Sequence, residues 1–118
     1  MEKNKHDIHE RIYKFVLGVL RAIGPLPKTT ENLVLIRQVV RSAASIGANA
    51  SEADGAETKN EFIHRFTISK KEAKETHYWI SLISDYNPRF KNRFSPILKE
   101  NNEIIAIISK IIINAKKK

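Results

Sequence analysis

The feature that most constrains this chain is the spacing of apolar and small residues from Leu33 to Ile83, in two segments that meet at Asp54-Gly55. In the first, Leu33, Ile36, Val40, Ala43, Gly47 and Ala50 recur in alternating steps of three and four, which sets them in one narrow stripe along a helix. In the second, Phe62, Phe66, Ser69, Ala73, Thr76, Ile80 and Ile83 keep the same steps, with bulky residues at both ends and small ones between. The two segments read as an antiparallel helical hairpin. Half of the first stripe is Ala or Gly, and along the small residues Ala43, Ala44, Ser45, Gly47, Ala48 and Ala50 helix propensity is given up at Ser45 and Gly47. That sacrifice points to close approach of a neighbouring backbone or a large ring.

Local signals complete a four-helix pattern over about 7–24, 30–54, 58–86 and 96–115. Asp7 and Glu10 have the spacing of a capping box, after which Ile8, Ile12, Phe15, Val19 and Ile23 share one side until Gly24-Pro25 and Pro27. Thr29 or Thr30 opens the second helix, with Glu31 in its positive first turn; at about 24 residues it is roughly 36 Å long, the scale of an elongated bundle. Thr58 and Glu61 repeat the capping box, and Asn87-Pro88 stops the third helix. Ser95-Pro96 reads as an N-cap followed by proline in the first helical position. The expected fold is all-α, an up-down-up-down antiparallel four-helix bundle in one domain spanning 1–118.

In the fourth helix Ile104, Ile105, Ile107, Ile108, Ile111, Ile112 and Ile113 wrap most of the circumference. A bundle helix buries one face, so the excess reads as a second interface with another copy of the chain, centred on Ile104, Ile107, Ile108 and Ile111, with Trp79 as an anchor beside Tyr78. The plainer reading is a wide core stripe. Cysteine is absent, which removes disulfides and thiolate chemistry and fits a reducing, cytoplasmic setting. No run approaches the ~18 apolar residues of a membrane span, and Met1 to Asp7 does not resemble a signal peptide.

Charge carries the main functional signal. Lys and Arg outnumber Asp and Glu by 21 to 13, and the excess sits in the first 28 residues and the last 31. In an up-down bundle Arg21, Lys28, Arg89, Lys91 and Arg93 gather at one end, and Lys3, Lys5, Lys116, Lys117 and Lys118 at the other. Such clusters attract nucleic-acid phosphates through counterion release, and Tyr86, Phe90 and Phe94 are placed to stack on unpaired bases. The plainer readings are a solubilising lysine tail and aromatic residues that cap the core.

Catalytic patterns are weak. Glu61-Phe62-Ile63-His64 has the Glu-x-x-His form of di-iron bundles, but no second copy exists and Glu61 already serves as a cap. His6 and His9 stand three apart near the N-terminus, no serine sits in a Gly-flanked elbow, and the four glycines are isolated. No metal, cofactor or catalytic residue is expected. Arg41, Asn49, Glu52, Glu72 and Glu75 form a candidate polar network between the second and third helices, either fixing register or binding a ligand.

The central segment also carries a resemblance. Arg41-Ser42-Ala43-Ala44-Ser45-Ile46-Gly47-Ala48-Asn49, Glu52-Ala53, Glu57, Phe62-Ile63-His64, Lys71-Glu72-Ala73, Glu75-Thr76 and Tyr78-Trp79-Ile80 resemble the small bacterial four-helix bundles named after intervening sequences of 23S ribosomal RNA genes. The likeness covers roughly 37–82. It departs from the family pattern at Ala50-Ser51-Glu52 and Lys71-Glu72, where many members carry Ala-Glu-Gly and Gly-Ser. The resemblance implies a ring-shaped homo-oligomer, with a pentamer favoured, and extends to accessory proteins of diversity-generating retroelements, which assist a reverse transcriptase. The expected function is non-enzymatic binding of RNA or DNA through the phosphate backbone. The alternative is a protein-interaction scaffold.

Overall fold

The computed structural model describes the backbone of residues 2–118 and side chains from residue 8 onward, so the side chains of Lys3, Lys5, His6 and Asp7 lie outside what is described. Helices α1 (Glu2–Ile23), α2 (Thr30–Asp54), α3 (Lys59–Tyr86) and α4 (Lys91–Lys117) follow one another, with a 3-10 turn at Pro88–Phe90 leading into α4. Short connections force each helix to reverse direction. α1 packs on α2 and α4, α3 packs on α2 and α4, and diagonal pairs stay apart among the described residues. The bundle measures 47 × 23 × 18 Å.

The caps explain two starts and correct a third. Thr29 Oγ1 accepts the Asn32 N–H at 3.2 Å, and Thr58 Oγ1 accepts the Glu61 N–H at 3.1 Å, so each threonine satisfies a donor that its helix leaves unpaired. The Ser95-Pro96 pair does not begin α4, because the helix already runs from Lys91 and holds Pro96 within it. Phe94, almost fully buried, and Arg93, bonded to α1, hold the preceding turn helical, which outweighs the N–H that proline lacks. At the other terminus α1 begins at Glu2 rather than near Asp7, since no breaker interrupts the charged N-terminal residues.

The core takes Ile8, Ile12, Phe15, Val19 and Ile23 from α1 and Phe66, Ser69, Ala73, Thr76, Ile80 and Ile83 from α3, on the stripes expected. On α2 the buried set is Asn32, Val39, Ser42, Ala43, Ile46, Ala50 and Ala53, whereas Leu33 is 42% exposed. The stripe is rotated because two of its members are polar and satisfied. Asn32 and Asn87 exchange amide hydrogen bonds of 2.9 Å in both directions. Ser42 Oγ accepts from Thr76 Oγ1 at 2.8 Å, and Ser69 Oγ donates to the Ile46 carbonyl at 2.8 Å. Such small side chains accompany the most extensive helix–helix contact in the bundle, between α2 and α3. Gly47 faces α1 instead, where a Cβ would meet Ile12 Cγ2 at 3.3 Å.

On α4 the isoleucine band is mostly core, which corrects its reading as an outer patch. Ile104 and Ile108 are fully buried within the chain, Ile112 nearly so, and Ile105, Ile107 and Ile111 pack against them half-buried. Only Ile113 of this band is exposed, at 54%. Ile104 and Ile108 therefore cannot contact a second copy. The band is wide because α4 must cover α3 and α1 together. Asn101, also fully buried, is oriented by donating to the Ala73 carbonyl at 3.3 Å and accepting the His77 backbone N–H at 3.0 Å, a polar tie between α3 and α4.

Candidate nucleic-acid interface

The basic residues predicted to share an end do so, but they are not equivalent. The C-terminus of α1, the N-terminus of α2, the C-terminus of α3 and the N-terminus of α4 meet there. Arg93 Nε donates to the Ala22 carbonyl at 3.0 Å and its Nη2 to the Arg21 carbonyl at 3.1 Å. Lys28 Nζ donates to the Gly24 and Leu26 carbonyls, each at 2.6 Å. Arg93 thus closes carbonyls that α1 leaves unpaired at its negative end, and Lys28 closes carbonyls of the loop that follows it. Arg21, Arg89 and Lys91 remain exposed and form no ion pair among the described residues. They are the part of the cluster open to a phosphate.

The aromatic residues beside this cluster divide similarly. Phe94 is buried and cannot reach a base, Phe90 is half-buried against the core, and Tyr86 is 53% exposed. Tyr86 lines an apolar groove of about 390 Å³ with Val34 and Leu35 of α2 and Leu82 of α3. Tyr78, Leu82, Leu33 and Val34 are further exposed apolar side chains of α2 and α3. No sequence period revealed this face, because each residue alone reads as an ordinary exposed apolar side chain. At the opposite end Lys116 and Lys117 are exposed in the last turn of α4, and Lys118, also exposed, caps it.

The polar network exists as two clusters. Arg41 bonds Glu72 at 3.4 Å and pairs with Glu75, whose Oε2 also accepts the Trp79 indole N–H at 3.0 Å. The indole bond is the main reason the Glu75 carboxyl stays below the usual carboxylate range; partial burial opposes it, and the Arg41 charge adds to it. Asn49 and Glu52 lie elsewhere and are served by Arg65, at 3.3 Å and 3.2 Å. Arg65 was missed because it stands outside the α2 stripe that suggested the network. With each charge paired and half in solvent, both clusters tie α2 to α3.

Other interhelical ties fall on α1. Arg11 forks onto Glu100 at 2.7 and 2.9 Å and reaches Glu103 at 2.7 Å, which holds its guanidinium more firmly protonated than usual, Glu100 contributing most. His9 Nε2 lies 3.1 Å from Asp54 Oδ1. Glu61 turns toward the Glu57 N–H, and among the described residues no group of three or more His, Asp or Glu could hold a metal ion. No helix is long and apolar enough to cross a membrane, among the residues described.

A family model described as 23S rRNA-intervening sequence protein matches residues 4–110. The chain belongs to the 23S rRNA-intervening sequence protein family. A crystal structure of an S23 ribosomal protein family member with unknown function, from Bacteroides thetaiotaomicron, is 28% identical and superposes with a TM-score of 0.81. The similarity covers 89% of this chain and 97% of that one. No curated protein matches. Within the 23S rRNA-intervening sequence family this chain therefore shares its helical architecture along nearly its whole length, well beyond the central window that carries the resemblance in sequence. No catalytic family is indicated.

Proposed function

We propose that this bundle is a non-enzymatic RNA- or DNA-binding protein that engages the phosphate backbone through its cationic ends. One observation carries the reading: Arg21, Arg89 and Lys91 project from one end, exposed and free of acidic partners among the described residues, in a chain of net charge +8. Contacts of this kind position a phosphate backbone without reading bases. Size-exclusion chromatography with light scattering, with and without a structured RNA, tests it. The RNA should shift with the protein at low salt and separate as salt rises. An RNA peak unmoved at low salt refutes it.

A second reading, a cytoplasmic protein-interaction scaffold or accessory subunit to a nucleic-acid enzyme such as a reverse transcriptase, is favoured by the exposed apolar face of Val34, Leu82, Tyr86 and Tyr78. The same face supports a homo-oligomer, a pentamer by the resemblance, built through α2 and α3 rather than α4, with half-buried Trp79 at its edge. The mass in the same light-scattering run decides this: a single-chain mass at all concentrations removes self-assembly.

A further inference from the structure

The end opposite Arg21, Arg89 and Lys91 holds a cavity whose chemistry is more specific than a lysine tail. Between the start of α3 and the end of α4, Lys59, Phe62, Ile111, Asn114, Ala115 and Lys118 line a groove of about 440 Å³. That volume falls in the roughly 300–1,000 Å³ range of small-ligand clefts. Its floor is apolar, made by half-buried Phe62, Ile111 and Ala115. Its rim is cationic, with Lys59 and Lys118 exposed and outside every ion pair among the described residues. No Asp or Glu side chain among the described residues lines it, and the nearby Glu61 carboxylate turns back onto the Glu57 N–H at 3.3 Å. Phe62 is held from beneath by an edge-to-face contact with Phe66, centroids 5.0 Å apart, so its ring is fixed.

A flat apolar floor under two ammonium groups complements a ligand that is aromatic on one side and anionic on the other. Resting on the function proposed above, we propose that this groove receives an unpaired nucleotide of a single strand, its base over Phe62 and Ile111 and its phosphate between Lys59 and Lys118. Asn114 is the one neutral polar side chain in the lining, so the site takes bases with little sequence preference. A duplex, whose bases are already stacked inside, cannot use the floor. The two ends of the bundle then differ: one holds any phosphate backbone, the other holds single strands.

The test is fluorescence anisotropy of a labelled oligouridylate and a labelled long RNA duplex. It uses the full chain, the triple variant R21Q/R89Q/K91Q, and that variant carrying F62L, N114E or K59Q/K118Q in addition. The triple variant should retain oligouridylate binding. F62L or N114E should weaken it by about five- to tenfold, and F62L should leave duplex binding unchanged. K59Q/K118Q should flatten its salt dependence by about 1.4 in log-log slope. N114E alters an exposed position, so its result stands even if F62L disturbs folding. Oligouridylate binding by the triple variant that N114E leaves within twofold overturns the groove, as does displacement by a short-chain fatty acid but not by uridine monophosphate. If the full chain binds neither probe at low salt, the proposed function falls; if it binds both and the triple variant binds neither, only the groove falls.

Discussion

Replacing Asn32 and Asn87, singly and together, probes the polar device that seats α2 against the end of α3. Asn32 is 1% exposed and Asn87 9%, and their amides bond each other reciprocally at 2.9 Å. Asn32 also donates to the Pro27 carbonyl and Asn87 to the Ile83 carbonyl, each at 2.9 Å. Asn32→Ala strands the Asn87 Oδ1 and the Pro27 carbonyl; at about 1 kcal/mol per net bond, and more for a stranded buried group, the expected cost is about 2–4 kcal/mol. Asn87→Ala strands the Asn32 Oδ1 and opens the C-terminal turn of α3, for about 2–3 kcal/mol. The double variant removes both partners of the reciprocal contact at once, so it should cost about 1–2 kcal/mol less than the sum. Urea unfolding followed by far-UV circular dichroism measures all four corners of the cycle. Additivity to within about 0.5 kcal/mol would refute the reciprocal pair as a coupled unit.

Three further outcomes follow from the same structure. Gly18 lies mid-helix in α1 with open space at its Cβ position, so Gly18→Ala should stabilise by about 0.5–1 kcal/mol in urea melts. Ile108→Ala should cost about 2–5 kcal/mol and Ile113→Ala less than about 0.5 kcal/mol, separating core from surface on α4 in thermal melts. The Glu75 carboxyl has a folded pKa below its unfolded one, so its contribution is present above the unfolded value and is lost as pH falls through the folded value. Glu75→Gln should therefore narrow the stability gap between neutral and acidic pH, read from melts across that range.

The fold was legible where burial follows apolarity. The α1 and α3 stripes came directly from Ile8 to Ile23 and Phe66 to Ile83, and Thr29 and Thr58 announced their helices by chemistry that acts within one turn. Legibility failed where a tertiary partner decides the outcome. Asn32 and Asn101 look like surface residues until Asn87 and the α3 backbone satisfy them, and with them the α2 stripe rotates away from Leu33. Ser95-Pro96 looked like a helix start because burial of Phe94 and the Arg93 bonds to α1 are long-range. Of the candidate site, charge asymmetry placed Arg21, Lys28, Arg89, Lys91 and Arg93 at one end. It could not reveal that Arg93 is engaged with α1 carbonyls and Lys28 with those of the following loop, nor that Phe94 is core.

The most direct test of the phosphate-binding account is the salt dependence of RNA affinity for the full chain and for R21Q/R89Q/K91Q, measured as log Kd against log salt on one duplex. Each phosphate contact contributes about 0.9 to the slope for duplex B-DNA, and a comparable increment for an RNA duplex makes the loss of three cations about 2–3 in slope, with weaker binding at every salt concentration. Equal slopes and affinities for the two proteins would contradict the account.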